Sequence, residues 1–129
     1  MNHASALIFL TKDEVVALHA RGVELFGGAQ GLRDEGALES ALFAAENRHH
    51  YAAADVIGCA AAYAYHLTQA HAFLDGNKRV AAVVTETFLG ANGVELDATD
   101  EQLYDMYMGL AAGGLGREEV EALLRSWAV

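Results

Sequence analysis

No proline occurs among the 129 residues of the chain, and alanine is abundant in nearly every part of it. The strongest helix breaker is therefore absent, while the best helix former is common. Apolar residues make up 53% of the sequence and charged residues 20%, which argues against an unfolded chain. A chain of this length can bury a core without metal ions or disulfides. These features predict one all-α domain covering residues 1–129.

Turn and capping residues divide the chain into six predicted helices. Thr11 with Glu14, and Thr99 with Gln102, have the spacing of a capping box, in which two side chains bind free N–H groups at a helix start. Glycine pairs and Asn-Gly end the helices in several places. The predicted helices cover about residues 12–26, 34–47, 55–70, 76–92, 100–112 and 117–127.

The apolar pattern predicts which helix faces are buried. The first helix would bury Val15, Leu18, Gly22 and Leu25, and the second would bury Leu38, Ala41, Leu42 and Ala45. The third helix is apolar on several faces, which is typical of a central buried helix. We predict a short strand over residues 6–10. We predict a loop over residues 48–51, which could serve as a flap over a site.

Composition excludes several classes of function. A net charge of −10 opposes direct binding to nucleic acid, because that binding depends on Lys and Arg neutralising phosphates. The longest apolar run, near residues 57–65, is too short to cross a bilayer, which takes roughly 20 apolar residues. Cys59 is the single cysteine, and we interpret it as a small buried hydrophobic residue. We therefore expect a cytoplasmic protein without a membrane span.

Two adjacent cations stand alone in an acidic part of the sequence. Between His49 and Gly116, the Lys and Arg residues are Lys78 and Arg79, while eight Asp and Glu residues share the stretch. An isolated pair of positive charges among acidic residues indicates a dedicated anion-binding site.

The cations end the segment His71-Ala72-Phe73-Leu74-Asp75-Gly76-Asn77-Lys78-Arg79, which leads into the fourth predicted helix. Free N–H groups and the helix dipole make a helix start an anion site. Gly76 would let a phosphate approach the backbone. Lys78 supplies a positive point charge, and the Arg79 guanidinium can donate two hydrogen bonds to one phosphate. The segment therefore predicts binding of a polyphosphate.

The remaining side chains of the segment suggest a reaction at that phosphate. Asp75 beside bound phosphates would be repelled unless Mg²⁺ lies between them, so we expect a magnesium nucleotide. His71 is the group of the segment that can accept a proton near neutral pH from an attacking hydroxyl. Phe73 is expected to turn inward and anchor the loop.

This segment resembles the signature of the Fic/Doc family, and within it the Doc (death-on-curing) toxin branch, which reads His-x-Phe-x-Asp-x-Asn-Lys-Arg. The similarity continues in the flanks at residues 27–34, 38–42 and 87–93. It implies a six-helix Fido fold and group transfer from ATP to a protein hydroxyl. It also implies His71 as base, Asp75 as Mg²⁺ ligand, and Gly76, Asn77, Lys78 and Arg79 as phosphate binders.

The Doc branch further implies a specific kind of transfer. Fic-type AMP transferases have Gly where this chain has Lys78, and a second Arg where it has Ala82. Doc proteins with the same change bind ATP in the opposite direction and phosphorylate a threonine of elongation factor Tu. They are restrained by an antitoxin whose C-terminal segment folds into a groove on the toxin. A phage member of the branch has Arg and Asn where this chain has Gln69 and Val83.

Two other functions remain open from the residues. One is nucleotidyl (AMP) transfer of the Fic kind, and the other is a binding module that no longer turns over. A metal site at His49 and His50 is disfavoured, because adjacent residues point in different directions on a helix. Tyr63, Tyr65, Tyr104 and Tyr107 could stack on adenine, but most of them are expected in the core.

Overall fold

The computed structural model describes residues 6–129, and residues 1–5 of the predicted domain lie outside that part of the chain. The described residues form an all-α fold, as predicted. The six helices are α1 (Lys12–Phe26), α2 (Glu35–Ala52), α3 (Val56–Ala70), α4 (Asn77–Ala91), α5 (Asp100–Ala111) and α6 (Arg117–Trp127).

Both predicted capping boxes are present. The Thr11 hydroxyl accepts the N–H of Glu14 at 3.1 Å, and the Glu14 carboxylate accepts the N–H of Thr11 at 2.8 Å. Thr99 and Gln102 make the same pair of bonds at the start of α5. These local bonds satisfy N–H groups that a helix start leaves free, which is why the two helix starts could be predicted from sequence.

The third helix lies at the centre of the core. Every residue of α3 from Gly58 to Ala64 is buried, and the helix contacts α2, α4, α5 and α6. Its glycine and alanines let the neighbouring helices approach closely. The predicted core row of α2, Leu38, Ala41, Leu42 and Ala45, is also confirmed. Cys59 is fully buried, and burial raises the pKa of its thiol to about 11, consistent with an inert apolar role.

The loop predicted over residues 48–51 is wrong, because α2 continues to Ala52. Ala53 follows the helix, and its left-handed backbone allows the N–H of Ala54 to reach the carbonyl of Arg48 at 2.9 Å. His49 binds the carbonyl of Ala54 through Nδ1, also at 2.9 Å. His49 thus closes the helix end in place of a flap.

The strand predicted over residues 6–10 is also wrong, since these residues have no regular secondary structure. The side-chain amide of Asn92 takes the place of a partner strand. It accepts the N–H of Ile8 at 2.8 Å and donates to the carbonyl of Ile8 at 3.0 Å. A side chain at the end of α4 therefore satisfies the backbone groups that would otherwise pair in a sheet.

The buried face of α1 differs from the prediction. Val15 is buried, but the row continues through His19 and Val23, while Leu25 is 57% exposed. Both rows have helical spacing, so periodicity alone could not choose between them. Within residues 6–129, no helix has the length and apolar character that a membrane crossing requires.

Candidate functional site

The motif residues 71–79 join the end of α3 to the start of α4. His71 ends α3 with a left-handed backbone, φ 47° and ψ 44°. Gly76 precedes α4, also with a left-handed backbone, φ 77° and ψ 22°. A residue with a Cβ rarely adopts such angles, so Gly76 suits its position. The two turns place residues 72–75 between the end of α3 and the start of α4.

One open cleft collects most of the predicted site residues. It has a volume of about 380 Å³ and is lined by His71, Leu74, Asp75, Gly76, Asn77, Lys78, Arg79 and Ala111. The side chain of His71 is exposed, whereas Phe73 is only 2% exposed and lies in the core beneath the cleft. The cleft therefore combines a solvent-accessible imidazole with the start of a helix.

The start of α4 is open to a ligand. Gly76 offers no side chain to bind the first N–H groups, and no side-chain capping bond is present there within the described residues. Such free N–H groups, with the positive end of the helix dipole, attract anions. This helix start is the position at which the sequence predicts a phosphate site.

Two predicted phosphate binders have structural bonds. The side-chain amide of Asn77 accepts the N–H of Phe73 and donates to its carbonyl, both at 3.0 Å. Arg79 donates through Nη1 to the carbonyls of Gly22 at 3.3 Å and Gly27 at 3.2 Å, at the end of α1. Both side chains therefore also hold the site in shape.

A second cleft, about 480 Å³ in volume, lies between α4 and α5 and shares Lys78 and Arg79 with the first. The Nζ atom of Lys78 lies 3.3 Å from the sulfur of Met108 on α5. At the other end, the Tyr107 hydroxyl donates to Glu86 at 3.1 Å. Burial raises the pKa of Glu86, and burial together with the Glu86 charge raises the pKa of Tyr107. This α4–α5 cleft is thus cationic at one end and acidic at the other.

The loop between α1 and α2, residues 27–34, binds along the motif. The N–H of Leu74 donates to the carbonyl of Gly31 at 3.1 Å, and Leu32 forms a backbone bridge with Phe73. The Asp75 carboxylate accepts the N–H of Ala29 at 3.2 Å and that of Gly76 at 2.8 Å. This α1–α2 loop therefore fixes the carboxylate that was predicted as the Mg²⁺ ligand.

Sequence reasoning missed His19, which supports the motif from below. It is buried, and its Nε2 lies 2.6 Å from the carbonyl oxygen of Asp75. Since a carbonyl only accepts, Nε2 carries the proton in this bond. The ring also stacks on Phe73, with centroids 3.8 Å apart. The sequence signal for this role was the position of His19 on the same helix face as Val15 and Val23.

Arg33 was also missed. It lies in the α1–α2 loop and donates from Nε to the carbonyl of His71 at 3.0 Å. Its only sequence signal was a position in the flanking pattern at residues 27–34.

Comparison with known proteins places these features in a family. A profile of the Fic/DOC family matches residues 9–89, which include α1 to α3, most of α4 and the whole motif. The chain is also 31% identical over 117 residues to "Protein kinase doc" of Escherichia phage P1, a match that covers 90% of this chain and 92% of that protein. The family match spans more than half of the chain, and the motif lies in the cleft described above. The chain therefore belongs to the Fic/Doc family.

Proposed function

We propose that this protein is the toxin of a toxin–antitoxin system and acts as a protein kinase. It would transfer phosphate from Mg-ATP to a Thr or Ser hydroxyl of a translation factor similar to elongation factor Tu, and so inhibit translation in the cytoplasm. One observation carries the proposal: the exposed His71 imidazole and the uncapped start of α4 line the same cleft. The similarity to "Protein kinase doc" supports the choice of reaction.

Residues along α4 favour phosphate transfer over AMP transfer. An AMP transferase of this family would have an Arg at position 82 to hold outer phosphates. In this chain Ala82 lines the α4–α5 cleft together with Glu86 and Asp100. Carboxylates at that end of the cleft would repel phosphates rather than bind them. The cations that remain, Lys78 and Arg79, lie where the two clefts meet.

In the proposed reaction, the His71 imidazole takes the proton from the substrate hydroxyl as its oxygen attacks the γ-phosphorus of ATP. The bond from that phosphorus to the bridging oxygen breaks, and ADP leaves. The N–H groups of α4, with Lys78 and Arg79, would neutralise charge on the phosphates. In the α4–α5 cleft, Tyr104 is 63% exposed and is available to stack on a base, whereas Tyr63 is fully buried.

The exposed carboxylate of Asp75 fits the predicted Mg²⁺ site. Mg²⁺ commonly binds one or two carboxylates together with phosphate oxygens, and it would offset the negative charge of the triphosphate. The N–H groups of Ala29 and Gly76 orient this carboxylate. Such supporting bonds position a metal ligand before the metal arrives.

A pair of adjacent glycines tests the role of Asp75. Gly27 and Gly28 both have positive φ, 86° and 115°, so alanine strains the backbone at either position. An added Cβ at Gly28 would lie 2.7 Å from the Asp75 carboxylate, whereas one at Gly27 meets nothing within 4 Å. We expect Gly28→Ala to raise the Mg²⁺ concentration needed for half-maximal transfer by about tenfold or more. The measurement is a Mg²⁺ titration of the initial transfer rate.

Gly27→Ala is the matched control for that titration. It should lower the melting temperature as Gly28→Ala does, but it should leave the Mg²⁺ requirement unchanged. Equal Mg²⁺ requirements for the two variants would contradict the role of Asp75 as the metal ligand.

The proposed partners follow from the same assignment. An antitoxin would bind with its C-terminal helix in a groove of this protein and block its activity. Direct binding to nucleic acid is not part of the proposal, because the net charge is −10.

Labelled ATP separates the proposed reaction from its alternatives. The purified protein is incubated with elongation factor Tu, Mg²⁺ and ATP labelled at either the α- or the γ-phosphate, and the modified residue is identified by mass spectrometry. Kinase activity transfers the γ-label and adds a phosphoryl group. Transfer of the α-label would show an AMP transferase and refute the proposal, and transfer of neither label to elongation factor Tu would also refute it. Expression of the protein without an antitoxin tests the toxin role. Growth should arrest, and a variant that no longer transfers phosphate should not cause this arrest.

A further inference from the structure

We propose that Arg33 is a positioning residue that holds His71 in the conformation needed for proton transfer. This inference rests on the proposed function, because it concerns the base of that reaction. Arg33 donates to the carbonyl oxygen of His71 from both Nε and Nη2. The contact is with the backbone of His71 and leaves its ring in the cleft.

The backbone of the same loop reinforces this contact. The N–H groups of Arg33 and Asp34 both donate to the carbonyl of Ala72, at 2.7 and 2.9 Å. Two consecutive carbonyls after α3 are thus bound by two consecutive residues of the α1–α2 loop. The last carbonyls of a helix lack partners within the helix, and a cation near them interacts favourably with the helix dipole.

His71 needs such support because its backbone conformation is unfavourable. With φ 47° it is one of two non-glycine residues with positive φ in the described chain, the other being Ala53. A left-handed backbone is unfavourable for a residue with a Cβ, so it persists where surrounding bonds impose it. A relaxation of φ or ψ at His71 would swing its imidazole relative to the start of α4. The Arg33 contact opposes that relaxation.

The guanidinium has a shape that lysine cannot reproduce. Its two N–H groups reach one oxygen from a rigid plane, while an ammonium is a mobile point charge. The geometry therefore predicts a graded series in which Arg33→Met loses the contact and Arg33→Lys keeps only part of it. Arg21 on α1 is exposed, and Arg21→Met makes the same change in charge as a control.

The test measures kcat and KM for Mg-ATP in these variants, with γ-labelled ATP and elongation factor Tu. We expect Arg33→Met to lower kcat by about 10- to 100-fold with KM little changed, because misplacing a reacting group by about 1 Å can cost that much. Arg33→Lys should fall between Arg33→Met and the unmodified protein, and Arg21→Met should keep full activity. In a His71→Asn background, Arg33→Met should cause no further loss, because its effect acts through His71.

Three results would overturn the proposal. A raised KM with kcat retained would make Arg33 a phosphate ligand. A lowered melting temperature with kcat retained would make it only a helix cap. Full activity of Arg33→Lys would show that charge alone is needed.

A second measurement does not depend on activity. Backbone NMR shifts and relaxation of His71 and Ala72 should change in Arg33→Met but not in Arg21→Met. If the unmodified protein transfers no phosphate, the proposed kinase function fails, and this NMR comparison still decides whether Arg33 holds His71. Unchanged signals at both residues would refute the positioning role.

Discussion

Replacing His71 with asparagine is expected to lower the rate of phosphate transfer by about 10²- to 10⁴-fold, the usual contribution of a general base. Asparagine suits this test because it tolerates a left-handed backbone and replaces the imidazole with an amide that cannot accept a proton near neutral pH. The side chain is exposed, so its loss leaves no cavity. The measurement is the initial rate with γ-labelled ATP at saturating substrate, alongside the melting temperature.

The matched control for this variant is His50→Asn. His50 is an exposed histidine in the last turn of α2, outside the cleft. It should retain full activity, and both variants should melt at the temperature of the unmodified protein. Retention of most of the activity by His71→Asn would show that another group accepts the proton, and the proposed mechanism would have to be abandoned.

Replacing Phe88 with alanine is expected to lower the free energy of unfolding by about 3–5 kcal/mol. Phe88 is fully buried on α4, and its ring lies 5.5 Å from that of Phe9 and 5.0 Å from that of Tyr63. The cavity removes contacts that join α4 to α3 and to the segment before α1. For a chain of this size, the melting temperature should fall by about 10–20 °C.

Phe43→Ala is the control for the packing effect. Phe43 lies on α2 with 60% of its surface exposed, so the same change should alter stability by no more than about 0.5 kcal/mol. Denaturant unfolding followed by circular dichroism measures both variants. Similar losses for the two variants would contradict the placement of Phe88 in the core.

Local patterns account for the part of the fold that sequence could predict. The capping boxes at Thr11 and Thr99 involve residues three apart, so sequence contains both partners of each bond. The central position of α3 follows from its apolar composition. The end of α2 was missed because its continuation through His49 depends on a carbonyl beyond the helix and on packing against Phe9.

The candidate site was predictable where its residues are contiguous. Residues 71–79 form one segment, and their order already indicated a phosphate site beside a base. The supporting residues could not be found this way, because His19 and Arg33 bind motif carbonyls 56 and 38 residues away. Nothing in the local sequence of either residue identifies its partner, which is set only when α1, the α1–α2 loop and the motif pack together.

Contacts between the α1–α2 loop and the motif run largely through main-chain atoms, those of Ala29, Gly31, Leu32 and Leu74 among them. Main-chain groups are the same whichever amino acid is present. Mutations at Ala29 or Leu32 can therefore change the exposed side chains of the loop and leave its main-chain contacts with the motif in place. Both residues are exposed next to the motif. Evolution can therefore vary the side chains on this surface while the backbone contacts remain, and a library randomised at these two positions would measure how much variation the fold accepts.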